Sequence, residues 1–91
     1  MTVNVTLAPI LADAIGGKRT LQLEGGTVGE VLRDLGERHP PLARLLWRDG
    51  EALNPMLAVF RNQDDIRTLE GLATPVQPGD EVAVISALEG G

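Results

Sequence analysis

The sequence has no cysteine and no tyrosine, and only one histidine (His39), one tryptophan (Trp47), one phenylalanine (Phe60) and one lysine (Lys18). Without cysteine there are no disulfides, no thiolate metal ligands and no cysteine nucleophiles, as expected for a chain that works in a reducing, cytoplasmic compartment. With so few aromatics the core must be aliphatic. His39 stands alone before Pro40-Pro41. It is read as a solvent-exposed residue that favours the C-terminal end of a helix dipole, not as a catalytic group. No metal or phosphate motif occurs, so neither a metal nor a bound cofactor is expected. No apolar run approaches the length of a membrane span. The start, MTVNVTLAPI, lacks the basic stretch and apolar run of a signal peptide. Positive charge is also short. The net charge is −5, with the charges scattered, which argues against nucleic acid as a partner. Such a surface keeps a small protein soluble and can steer it toward a basic surface on another protein.

What is present suffices for one small globular domain. The chain has 91 residues, 43% of them hydrophobic, enough to fold alone around a modest core. Residues 2–8 alternate, with Val3, Val5 and Leu7 on one side, and predict a half-buried strand. Ala8 to Gly17 is read as a connection from which Ile10, Leu11 and Ile15 pack back on the core. Lys18 to Glu24 alternates again through Leu21 and Leu23, completing an N-terminal hairpin. Gly25-Gly26 breaks it, and Thr27-Val28-Gly29-Glu30 has the form of a capping box. Val28, Val31, Leu32 and Leu35 then share one helical face, and the helix is expected to end before Pro40. Leu42, Leu45 and Leu46 suggest a short helical turn that includes Trp47, which is read as a core plug, with a partner contact as its other role. Met56 to Arg61 is strand-like, with Leu57 and Val59 on one face and Met56, Ala58 and Phe60 on the other. Asn62 to Asp65 is a polar turn, Ile66 to Leu69 a short strand, and Leu72 to Thr74 a turn. Pro78-Gly79-Asp80 is a strong turn signal, and Glu81 to Ile85 is the last strand.

The order of elements predicts an α+β domain of the β-grasp, ubiquitin-like type. One main helix covers a mixed sheet whose first and last strands pair in parallel at the centre. Residues 1–86 form this domain and residues 87–91 a flexible tail ending in Gly90-Gly91, with Gly91 expected to carry the free carboxylate.

The run from Pro78-Gly79-Asp80-Glu81-Val82 through Ser86-Ala87-Leu88-Glu89 to Gly90-Gly91 resembles the C-terminal signature of the MoaD/ThiS family of ubiquitin-like sulfur carriers. Arg61 to Arg67, followed by Gly71 to Thr74, is more specifically similar to the CysO-like branch that serves cysteine biosynthesis. Many family members have proline in the linker where this chain has Ser86-Ala87-Leu88-Glu89. The resemblance implies that the chain is a carrier and not an enzyme. Gly91 would be adenylated by an E1-like adenylating enzyme that uses ATP, then converted with a sulfurtransferase to a thiocarboxylate. A PLP-dependent synthase would accept the sulfur, and a peptidase would release the product. Gly90 gives clearance, because a residue without Cβ lets the walls of a channel approach the backbone. Docking is expected through Ile85 and Leu88, with Phe60 less central; Ile85 and Phe60 are also open to ordinary core roles. Other possibilities are a small subunit of molybdopterin synthase, a carrier for a specialised pathway such as thiosugar formation, and a protein modifier joined through Gly91 to lysines. Lys18 would be the only lysine on which such a modifier could build chains.

Overall fold

The computed structural model describes residues 2–49 and 52–86. The first strand, β1 (Val3–Leu7), runs antiparallel to β2 (Thr20–Leu23). Between them lie a one-turn helix, α1 (Pro9–Ala12), and a 3₁₀ turn at Asp13–Ile15. The predicted connection is therefore partly helical. Pro9 stands at the first helical position, where its missing N–H removes no hydrogen bond. Leu11 is buried as expected, whereas Ile10 is 49% exposed and does not pack on the core.

The main helix, α2 (Val28–Arg38), starts at the predicted cap. The Glu30 N–H donates to Thr27 Oγ1 at 3.2 Å, and the Glu30 carboxylate accepts from the Gly26 N–H at 2.8 Å. The glutamate thus reaches one residue beyond the cap itself. Val28, Val31, Leu32 and Leu35 are all fully buried. The helix ends at Arg38, and α3 (Pro40–Leu46) follows after one residue. That residue, His39, is half-buried and not solvent-exposed. Its N–H donates to the Leu35 C=O and its C=O accepts from the Leu42 N–H, so its backbone joins the two helices. Gly36 lies against Ala43 and the Trp47 indole, and a Cβ there would come within 3.2 Å of the Ala43 Cβ. Trp47 does not continue α3. It opens a two-stranded ribbon of β3 (Trp47–Arg48) and β4 (Ala52–Leu53), packs partly against the core, and has the Arg33 guanidinium 4.8 Å above its ring.

The sheet is completed by β5 (Leu57–Arg61), β6 (Asp64–Asp65) and β7 (Glu81–Ser86), in the order β2-β1-β7-β5-β6. β7 runs parallel to β1 and antiparallel to β5. This is the β-grasp arrangement, with the first and last strands at the centre. The polar turn is shorter than expected, since Asp64 and Asp65 already pair with Arg61 and Phe60. The predicted strand over Ile66–Leu69 is a 3₁₀ turn at Ile66–Thr68. Local hydrogen bonds decide this. The Asp65 carboxylate accepts from the Arg67 N–H at 2.9 Å, and the Thr68 hydroxyl donates to the Asp65 C=O at 2.7 Å, diverting the backbone from the ladder. A second 3₁₀ turn, Gly71–Ala73, leads to the turn before β7.

Asn62 ties the β5–β6 hairpin to the Pro78-Gly79-Asp80 turn. It sits at φ 56°; its N–H donates to the Glu81 C=O at 2.7 Å and its Oδ1 accepts from the Glu81 N–H at 3.0 Å. Asn62→Ala is expected to cost about 1–2 kcal/mol in urea unfolding, from the lost side-chain bond and from alanine's poorer tolerance of positive φ. Asn62→Gly should cost less, because it loses only the side-chain bond.

Candidate functional site

Strand alternation divides the sheet into two faces. Val5, Val59, Val82 and Val84 point to the core and are buried. Ala58 and Phe60 of β5, and Ala83 and Ile85 of β7, take the opposite face and are half-buried. Register brings them together: Ala58 is opposite Ile85, and Phe60 is opposite Ala83. These four side chains form a small apolar patch on the face that no helix covers. The row through Phe60 and Ala83 continues to Thr6 on one side and Asp65 on the other. Toward β2 the same face turns polar, with Gln22 donating to Asn4 Oδ1 at 3.5 Å. Glu81 lies on this face of β7, exposed at the strand's start.

The patch is therefore bounded by carboxylates. The Arg67 side chain, and after it the Arg67 N–H, hold the Asp65 carboxyl below the usual carboxylate range, so Asp65 stays anionic at neutral pH. An apolar patch with a polar rim suits contact with another protein, and the acidic rim suits a basic one.

Ile85 and Phe60 are thus neighbours one row apart. Phe60 is not a core residue, since the buried member of its strand is Val59. The alternation of residues 56–61 already grouped Ala58 with Phe60. The carboxylate boundary was not legible, because it depends on which residue of β6 pairs with Phe60. Ser86, the last described residue, is 4% exposed and opposite Leu57. Leu88, Gly90 and Gly91, the other expected site residues, lie outside the described residues, as does all of the expected tail over 87–91.

Among the described residues, no group of three or more His, Cys, Asp and Glu side chains is placed to hold a metal ion. Nor is any helix there long and apolar enough to cross a membrane. His39 lies at the α2–α3 junction, on the helical side of the molecule and away from the patch.

The ThiS family model matches residues 2–91. Sulfur carrier protein CysO of Mycobacterium tuberculosis is 30% identical over 93 aligned positions, covering 100% of both chains. Among solved structures, the Amycolatopsis orientalis BexX/CysO complex matches with a TM-score of 0.84 at 30% identity, over 92% of this chain and 93% of that one. Small archaeal modifier protein 1 of Methanosarcina acetivorans matches with a TM-score of 0.88 at 30% identity, over 99% and 96% of the two chains. The sequence signature, the β-grasp sheet and these similarities agree: the chain belongs to the ThiS family of ubiquitin-like sulfur carriers, and it carries sulfur for other enzymes without being a catalyst itself.

Proposed function

We propose that Gly91 carries the sulfur, and that the acceptor lies in cysteine biosynthesis. A carboxylate is a poor electrophile at neutral pH. ATP activates it: the Gly91 carboxylate attacks the α-phosphate, an acyl-adenylate forms, and pyrophosphate leaves. An E1-like enzyme would catalyse this step. Sulfide-level sulfur, supplied through a sulfurtransferase, then adds to the acyl carbon and AMP departs, leaving a thiocarboxylate. Thio acids are largely ionised at neutral pH, and their sulfur is polarisable, so the terminus becomes a good nucleophile. It would displace the leaving group of an activated serine derivative on a PLP-dependent synthase to give a thioester; the new cysteinyl amine would then take the acyl group from sulfur, and a peptidase would hydrolyse that amide to release cysteine from Gly91. ATP, PLP and any peptidase metal belong to these partners. The setting is cytoplasmic.

The observation that carries this reading is the match of the ThiS family model through residue 91, because the family's signature includes the Gly-Gly end. Whole-chain similarity to CysO supports the cysteine branch. Geometry adds support. β7 ends at Ser86 beside the apolar patch, and five further residues span on the order of 17 Å when extended. A partner seated on the patch could therefore receive Gly91 at depth.

Two experiments follow. The thiocarboxylated protein, incubated with a PLP-dependent synthase and an activated serine, should gain the mass of a cysteine adduct on Gly91. Failure with several competent synthases, while the thiocarboxylate persists, would exclude the cysteine branch. Separately, Ile85→Glu puts a charge in the centre of the patch. We expect it to weaken binding to the activating enzyme about tenfold or more without changing the circular dichroism spectrum; unchanged affinity would remove the patch from the docking account.

A second reading, a protein modifier joined through Gly91 to target lysines, is favoured by the likeness to small archaeal modifier protein 1. Conjugates of high mass that disappear when Gly91 is deleted would support it.

A further inference from the structure

A groove of about 310 Å³ lies beside β5 on the side away from β7, with Leu53, Pro55, Leu57, Val59, Ile66 and Leu72 among its lining residues. It exists because strand pairing stops short. β5 runs from Leu57 to Arg61, but β6 pairs only with Phe60 and Arg61, and the chain then curls into the 3₁₀ turn at Ile66–Thr68. Among the described residues, no strand pairs with the edge from Leu57 to Val59 on this side.

The direction of its backbone groups follows from one bond. The Asn62 N–H donates to the Glu81 C=O. In an antiparallel pair such bonded positions recur every second residue, so Phe60 and Ala58 bond to β7, and the N–H of Val59 points the other way, into the groove, while its C=O faces Ile66, next after the Phe60–Asp65 pair. The C=O of Leu57 points into the groove too, while the Leu57 N–H donates to the Asn54 C=O at 3.0 Å. The groove thus combines an apolar floor with main-chain donors and acceptors aligned as in a sheet edge.

The rim has a definite sign. Asp65 and Arg67 both line the groove, tied to each other through bonds of 2.8 and 3.2 Å, and Asp64 and Glu70 stand exposed immediately beside it in the chain. With Asp65 and Arg67 neutralising each other, the two remaining carboxylates favour a basic occupant.

We propose that this groove binds an extended segment of a protein partner, added as a strand along Val59, with an aliphatic side chain in the cavity and basic side chains against Asp64 and Glu70. The open edge favours a peptide over a small molecule: a closed apolar cavity would not present a strand's hydrogen-bonding groups along its wall. The groove reaches the outer face through Ala58, which lines it and also belongs to the apolar patch. A partner on that patch could extend an arm around the edge of β5. The binding itself needs no chemistry at Gly91.

The test uses the full chain, labelled with ¹⁵N, and the peptide acetyl-Lys-Val-Ile-Lys-Val-Lys-amide as probe. Chemical shift changes should centre on residues 53–59 and 65–72, and the Val59 amide should exchange more slowly with solvent. A counterpart with glutamate in place of each lysine should bind at least tenfold more weakly. Leu57→Glu should abolish the response. Asp64→Lys, a surface change that leaves packing intact, should weaken binding several-fold, which covers the case in which the first variant fails to fold. No shift at millimolar peptide, shifts confined to the face around Ile85, equal binding of the acidic counterpart, or no change in Val59 exchange would each overturn the proposal.

Discussion

Gly91→Ala should fold normally and yet be loaded with sulfur on the order of 10²-fold more slowly. The change adds one methyl group and leaves the carboxylate in place, so intrinsic reactivity is nearly unaltered. What changes is fit. Activation requires the terminal carboxylate to sit in line with the α-phosphate of a nucleotide inside another protein, and misplacing a reacting atom by about 1 Å costs a factor of this size. A narrow channel around two glycines has no room for a Cβ. Position 91 lies five residues beyond β7 in the chain, so melting temperature should not move. The Gly90→Ala variant should be affected in the same direction and less. The readout is the rate of thiocarboxylate formation under single-turnover conditions. Loading of Gly91→Ala at the normal rate would mean that the tail does not enter a close-fitting site.

The largest effect on stability is expected from Leu32→Ala. Leu32 is fully buried at the middle of α2 and belongs to the cluster that includes Val5, Val82 and Val84. The core is aliphatic, and its helix contributes one face to a single sheet. Removing three methyl-equivalents there should cost about 3 kcal/mol, combining lost transfer energy with the residual void. Against the roughly 5–15 kcal/mol typical of a whole domain, that is a large share. It corresponds to a fall in melting temperature of roughly 12–24 °C. Leu32→Met conserves volume and should cost less than about 1.5 kcal/mol. Loading of Gly91 in folded Leu32→Ala should remain near normal, because the tail's chemistry does not involve the core. Equal losses from both substitutions would point away from cavity formation.

Where the sequence carried a long or doubly supported signal, the fold was legible. The alternation of Val3, Val5 and Leu7 marked β1, and Thr27 with Glu30 marked the start of α2, in each case from side chains whose roles are settled within a few residues. The parallel pairing of β1 with β7 could be argued because both strands are apolar and both have flanking strands. Short elements were harder. Pro9–Ala12 is a single helical turn, too brief to show a period of 3.6 residues. Ile66 to Leu69 has the composition of a strand, but the Asp65 side chain and backbone capture Arg67 and Thr68 and turn it into a 3₁₀ segment. Trp47 was drawn into α3 by the neighbouring leucines, whereas its pairing with Leu53 depends on residues several positions further on. The apolar patch was half visible. Ile85 was named for its place beside the tail, and alternation grouped Phe60 with Ala58, while Ala83 became part of the patch only through register. For Gly90 and Gly91 the sequence offers an expectation only, carried by the family resemblance, since both lie outside the described residues.

The central claim is that Gly91 is the sulfur-bearing residue. Intact-mass spectrometry after incubation with ATP, an E1-like adenylating enzyme and sulfide tests it directly. The account predicts a mass gain equal to the replacement of one oxygen by sulfur, localised by fragmentation to Gly91, dependent on ATP and lost when the two terminal glycines are removed. No gain with several competent activating enzymes, or a gain located anywhere other than Gly91, would contradict it.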